Sequence, residues 1–139
     1  MKKIARDIMT ASPECARIGD SILDVAKTLA RLDVGALPIC GADDALEGMV
    51  TDRDIVVKVL AAGRDPSSTT DGYLAEPDVV SVGSGESIHH ALQLMAMHQI
   101  RRLPVVDGGK LVGIISQADI ARNWEEEDVG ELVEAISKD

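Results

Sequence analysis

The sequence predicts an α/β (α+β) fold made of two β-α-β-β-α repeats packed about a pseudo-twofold axis. Three observations lead there. First, the chain states nearly the same segments twice: Gly19-Asp20-Ser21-Ile22 returns as Gly85-Glu86-Ser87-Ile88, and Leu37-Pro38-Ile39-Cys40 as Leu103-Pro104-Val105-Val106. Gly48-Met49-Val50-Thr51-Asp52-Arg53-Asp54-Ile55 likewise returns as Gly113-Ile114-Ile115-Ser116-Gln117-Ala118-Asp119-Ile120. The offset is about 66 residues early in the unit and about 65 late, so the first copy carries one extra residue in its 41–47 turn. Second, each copy alternates short apolar runs with segments of helical periodicity. Third, the chain has 139 residues, and half of it alone buries only a marginal core, so the two copies are expected to fold as one body.

Ile4 to Met9 reads as a lead-in helix that ends near Pro13, and residues 14–18 as a short strand. Asp20-Ser21 supplies an N-cap for a helix through Asp33, because Ile22, Val25, Ala26, Leu29 and Leu32 share one face. Leu37–Cys40 and Glu47–Thr51 form a hairpin about the 41–45 turn. Asp52–Ala62 follows as a helix with Ile55, Val56, Val59 and Leu60 inward, and Gly63 stops it. After a polar linker the cycle restarts, with strand Val79–Val82, helix Glu86–His98, strand Leu103–Val106, a 107–109 turn, strand Lys110–Ile115 and a helix from Ser116. The domain boundaries are 1–63 for the first repeat with its lead-in, 64–72 for the linker, 73–123 for the second repeat, and 124–139 for an acidic C-terminal helix.

Composition narrows the function. Tyr73 and Trp124 are the only aromatic residues, so the core is aliphatic and base-stacking platforms are lacking. The net charge is −10, with eight basic and ten acidic groups in 1–62 against six and fourteen in 63–139. Such an acidic surface opposes binding to nucleic acid or anionic membranes. Neither a secretory h-region nor a membrane-length apolar run is present, so a cytoplasmic protein is expected.

The sharpest local pattern is a small hydroxyl, two residues, and then a carboxylate, placed where a strand opens into a helix. It occurs as Thr51-x-x-Asp54 and as Ser116-x-x-Asp119. One meaning is helix capping, in which the hydroxyl accepts a backbone N–H and the carboxylate closes the box. The other is recognition: the free N–H groups of such a turn suit an anion, and an Asp suits the two hydroxyls of a ribose. The two meanings are compatible.

The repeated unit resembles the cystathionine-β-synthase (CBS) domain, and the chain from about Ile4 to Asn123 resembles a stand-alone CBS pair, or Bateman module. The segments Gly48–Ile55, Arg102–Val106 and Gly113–Ile120 carry the likeness. Gly35–Gly41, Leu60–Gly63 and Gln99–Arg102 add a narrower likeness to the small two-CBS bacterial proteins of the hypoxic-response type. The family resemblance implies a non-catalytic regulatory protein whose clefts take an adenosine-type ligand such as AMP, ADP, ATP or S-adenosylmethionine, with no required cofactor. It implies one site combining Thr51 and Asp54 with Val80 and Arg101-Arg102, and a second combining Ser116 and Asp119 with Gly35-Ala36. Arg101 and Arg102 suit a phosphate, whereas Gly35 and Ala36 carry no charge. A homodimer and an unidentified protein partner are also implied.

The alternative is a stress- or hypoxia-associated structural protein with unused clefts, rigidified by a Cys15–Cys40 disulfide or by zinc. Buried reduced thiols are the default for a cytosolic chain, while the narrower resemblance favours the disulfide, and both remain open. His89, His90 and His98 read as surface histidines, since no closely spaced set of four Cys/His ligands exists, and zinc at a dimer edge is the minority reading. No nucleophile–base pattern, P-loop or dinucleotide fingerprint is present, so no enzyme activity is expected.

Overall fold

A computed structural model describes residues 3–76 and 78–124. The chain runs α1 (Ala5–Ile8), β1 (Thr10–Ala11), β2 (Ala16–Arg17), α2 (Ile22–Leu32), β3 (Ala36–Cys40), β4 (Leu46–Thr51) and α3 (Asp52–Asp54), then β5 (Val82–Gly83), α4 (Ile88–His98), β6 (Arg102–Asp107), β7 (Lys110–Ser116) and α5 (Gln117–Asn123). A 3-10 turn, Ala42–Asp44, takes up the extra residue between β3 and β4, and a second one spans Asp71–Tyr73. Beyond Trp124, the acidic helix expected over 124–139 lies outside the described residues.

The contacts divide the chain into two compact units, each with its own core. One is drawn from Glu14–Val79, the other from Met1–Pro13 together with Val80–Asp139. The first unit holds a three-stranded sheet, β2-β3-β4, in which β2 runs parallel to β3 and β3 antiparallel to β4. The second holds a four-stranded sheet, β1-β7-β6-β5, in which β5 and β6 are parallel and β1, β7 and β6 antiparallel. Ile22, Ile39, Val50 and Val59 centre the first core, and Leu103, Val105, Ile115 and Ile120 the second.

The lead-in departs from its expected place. Grouped by sequence with the first repeat, it instead completes the unit of the second. Thr10 and Ala11 pair with Ile114 and Gly113 along the otherwise open edge of β7. The Ala5 and Arg6 N–H groups donate to the Glu86 and Ser84 carbonyls at 2.8 and 3.0 Å. Reciprocally, the 64–72 linker closes the first unit: the Ile22 N–H donates to the Thr69 carbonyl and the Asp71 N–H to the Asp20 carbonyl, both at 2.8 Å. The cause is general, since an edge strand and a helix N-terminus present unpaired backbone groups that a passing segment satisfies.

This crossing explains why glycine leads both duplicated strands. A Cβ on Gly48 would lie 3.1 Å from the Ala75 Cα, and one on Gly113 would overlap the Met9 side chain. Each glycine admits the segment that crosses it.

The helices start as the sequence indicates. Ser21 accepts the Asp24 N–H at the start of α2, and Ser87 accepts the His90 N–H at the start of α4. Both helices end on left-handed residues that are not glycine, Asp33 (φ 55°) and Gln99 (φ 53°). The strand expected over Val79–Val82 begins only at Val82, which pairs with Val105. The helix expected over Asp52–Ala62 is α-helical only through Asp54 and continues as π-helical Ile55–Leu60. Along this stretch Ile55 and Val59 are buried, but Val56, Val57 and Leu60, the first and last of them expected inward, stand about half exposed.

Candidate functional site

Both hydroxyl-x-x-carboxylate turns form complete capping boxes. The Asp54 N–H donates to Thr51 Oγ1 at 3.0 Å, and the Thr51 N–H donates to Asp54 Oδ2 at 3.1 Å. In the second unit the Asp119 N–H donates to Ser116 Oγ at 3.2 Å, and the Ser116 N–H to Asp119 Oδ2 at 2.8 Å. The hydroxyl ends a strand and the carboxylate occupies the third helical position, so each turn satisfies two otherwise orphaned donors. One oxygen of each Asp thereby accepts a backbone N–H, and Oδ1 is the oxygen that the box leaves unengaged.

The two Oδ1 atoms have different neighbours. Asp54 Oδ1 lies 3.5 Å from Lys58 Nζ, and its side chain is 25% exposed. Asp119 Oδ1 accepts a hydrogen bond from Arg122 Nη2, and its side chain is 10% exposed. Sequence reading did not single out Lys58 or Arg122. The internal alignment contained the clue, because the offset of 65 places Arg122 opposite Val57 and Asn123 opposite Lys58.

Around the first turn, the Asp52 N–H donates to the Gly35 carbonyl at 3.0 Å, and Ala36 pairs with Thr51 across β3 and β4. The Asp52 carboxylate accepts the Arg53 N–H at 2.8 Å. Around the second, the Gln117 N–H donates to the Arg101 carbonyl at 3.2 Å, and Arg102 pairs with Ser116 across β6 and β7. Each turn thus has the strand start of its own repeat as its neighbour within the unit, an arginine pair in one and Gly35-Ala36 in the other. Arg101 and Arg102 form no ion pair among the described residues. Val80 packs partly buried against the second core.

The segments that carry the two cysteines lie side by side. Cys40 pairs with Arg17 across β2 and β3, and Cys15 directly precedes β2. Both are free thiols in this structure, and Cys15 is a near neighbour of Cys40. Burial, and then the Cys15 neighbour, push the Cys40 thiol up to about 12. A thiol so held stays protonated at neutral pH and is a poor nucleophile.

The histidines do not converge. His89 packs against Trp124 with ring centroids 4.3 Å apart and the rings tilted by 44°, and His90 Nε2 lies 3.5 Å from Glu86 Oε1. Among the described residues, no group of three or more His, Cys, Asp or Glu side chains is arranged to hold a metal ion. No helix among them is long and apolar enough to cross a membrane.

One further polar residue was not anticipated. Asp71, in the segment that closes the first unit, is fully buried. The Gly19 N–H donates to its Oδ1 at 2.8 Å, while Oδ2 has no partner among the described residues. Burial raises its carboxyl above the ordinary range, against the opposing pull of the Gly19 hydrogen bond. The offset of 66 places Asp71 opposite Ala5, which is equally buried.

Comparison with known proteins completes the picture. A family model described as the CBS domain matches residues 5–61 and 72–137. Hypoxic response protein 1 of Mycobacterium tuberculosis is 47% identical over 132 residues, covering 95% of this chain and 92% of that protein. The crystal structure of Hypoxic Response Protein I with two coordinated zinc ions superposes with a TM-score of 0.84, covering 88% of this chain and 100% of that one. The CBS domain pair of MJ0100, in complex with 5′-methylthioadenosine and S-adenosyl-L-methionine, is 29% identical with a TM-score of 0.76, over 88% and 95% of the two chains. CBSX2 in complex with AMP is 26% identical with a TM-score of 0.74, over 86% and 93%.

Proposed function

The chain belongs to the CBS domain family as a two-domain member, and from that premise we propose that it is a regulatory, non-catalytic sensor of an adenosine-type ligand. The observation that carries this reading is the duplicated strand-to-helix turn. Each copy brings a hydroxyl that still has its O–H to donate and an Asp oxygen to one point. Those groups match a phosphate oxygen and the ribose hydroxyls of a nucleotide. The AMP complex of CBSX2 and the S-adenosylmethionine complex of MJ0100 support the ligand class.

In this reading Thr51 and Asp54 receive the ribose, with Val80 and the Arg101-Arg102 segment as partners from the other repeat. Ser116 and Asp119 with Gly35-Ala36 make the second site. Ligand binding favours one arrangement of the repeats over another, and a protein partner reads the difference. The protein acts in the cytoplasm as a homodimer, for which exposed Val56, Val57 and Leu60 offer an apolar contact face. Calorimetric titration with AMP, ATP and S-adenosylmethionine tests the reading. Saturable binding that the Asp54→Ala variant loses is expected, and no heat from any of the three ligands would sink it.

A second reading is favoured by one observation, that Cys15 and Cys40 are near neighbours on paired segments. Oxidation of the pair would rigidify the first unit and leave the clefts unused, as in a stress-associated structural protein. Non-reducing mass spectrometry decides it, because two free thiols in protein purified without reductant remove its support. Zinc is less well supported: the described residues form no cluster for it, so no step is assigned to the metal.

A further inference from the structure

We infer that Arg122 sets which of the two motifs accepts a ribose, by occupying the one Asp119 oxygen that the capping box leaves free. The inference rests on the adenosine-ligand reading and adds a site preference to it. A carboxylate grips a vicinal diol by accepting both hydroxyls, which requires a free oxygen edge. In both motifs Oδ2 is committed to the backbone N–H of the capping hydroxyl residue. At Asp119, Arg122 Nη2 takes Oδ1 in a charge-assisted hydrogen bond, on a side chain only 10% exposed. At Asp54 the corresponding oxygen faces only an ammonium 3.5 Å away, on a side chain 25% exposed.

The residues one turn on explain the difference. In α5 the residue three positions after the Asp is Arg122, close enough to reach back one turn. In the first repeat that position is Val57, already inside the π-helical stretch, and the cation comes one residue later as Lys58. The end of α5 is also pinned. Asn123 Nδ2 donates to the Asp119 carbonyl at 2.7 Å, and Lys3 Nζ donates to Asn123 Oδ1 at 2.7 Å. A diol entering the second motif must displace the guanidinium, whereas at the first it displaces only a loose contact.

Adenosine is the probe of choice, because it has the diol and no phosphate for Arg122 to attract. In the Asp54→Ala background only the second motif remains. There, adding Arg122→Ala should tighten adenosine binding by about two- to fivefold, the worth of an ion pair whose guanidinium is 66% exposed. Arg122→Met, which keeps the aliphatic stem, should do the same. 2′-Deoxyadenosine should gain nothing, and Asp119→Asn should cancel the gain while keeping the cap.

An unchanged or weaker adenosine affinity in both Arg122 variants overturns the inference, as does an equal gain for 2′-deoxyadenosine. If the wild type binds adenosine and the double variants gain nothing, the inference falls alone. If the wild type is silent and the Arg122 variants bind, the inference stands and the assignment to Asp54 falls. If no variant binds, both fall. Thermal melting of each variant confirms that it is folded.

Discussion

The two repeats share one plan, yet they differ at the positions where a side chain is not needed to build that plan. Strand register, capping boxes, helix starts and left-handed helix ends all recur at offsets of 65 or 66 residues. The differences are Asp71 against Ala5, the π-helical Ile55–Leu60 against α5, and Val57 and Lys58 against Arg122 and Asn123. Repetition therefore marks what the fold requires, and departure from repetition marks where the two halves have separate roles. Asp119 against Asp54 is the clearest case: the same box, with the remaining oxygen held in one copy and nearly open in the other.

The comparison can be broken first at the crossing glycines. Gly48→Val should cost about 3 kcal/mol, because the new side chain meets the backbone at Ala75 and Glu76, which cannot rotate away. Gly113→Ala should cost less, since much of its obstacle is the flexible end of Met9. Urea unfolding of both variants measures the gap. Equal losses would mean that the Met9 side chain yields no more readily than the backbone at Ala75.

The next largest effect belongs to Asp71. Its carboxyl is raised in the folded chain, so the folded state holds its proton more tightly than the unfolded state does. Stability is then highest below the ordinary carboxylate range, falls as pH rises toward the raised value, and levels off above it. Asp71→Asn removes that titration and keeps an acceptor for the Gly19 N–H. Relative to the wild type it should fare better at neutral pH than in acid, because only the wild type loses stability as the carboxyl ionises. A difference independent of pH would show that the carboxyl does not titrate in this way.

The two caps give a smaller and matched pair. Thr51→Ala and Ser116→Ala should each lose about 1 kcal/mol in thermal or chemical unfolding, because each hydroxyl accepts one helix-start N–H. Matched losses would sharpen the view that capping is common to both motifs and that selectivity lies in Oδ1. The smallest effect should come from the helix ends, where Asp33→Gly is expected to add about 0.5–1 kcal/mol by relieving a left-handed residue. Gln99→Gly should add less, since its Nε2 donates to the Ala96 carbonyl at 2.7 Å and that bond is lost.

Much of this was legible in the sequence because it depends on local chemistry. A Ser or Thr before an apolar-periodic segment caps it wherever it occurs, and alternating apolar runs about a turn pair as a hairpin. Those rules located α2, α4, both hairpins and both boxes. They misjudged Val56 and Leu60, which the apolar pattern placed inward and which stand about half exposed, because apolar spacing along a helix does not state what packs over it. They also passed over Asp71, which as a Thr-Thr-Asp-Gly residue in a polar stretch reads as solvated linker. Burial depends on what packs over a residue, and nothing in that segment states it.

The sequence by itself determined the repeat, the order and type of most elements, the capping residues and the family, since each follows from neighbours a few positions apart or from the chain's likeness to itself. Tertiary structure alone decided that the lead-in completes the second unit and the 64–72 segment the first. It alone buried Asp71, placed Cys15 near Cys40, and made one crossing meet backbone and the other a side chain. The physical reason is one of range. Helix caps and hairpins satisfy their backbone groups within a few residues, whereas the open edge of β7 and the start of α2 accept any segment that folding brings to them.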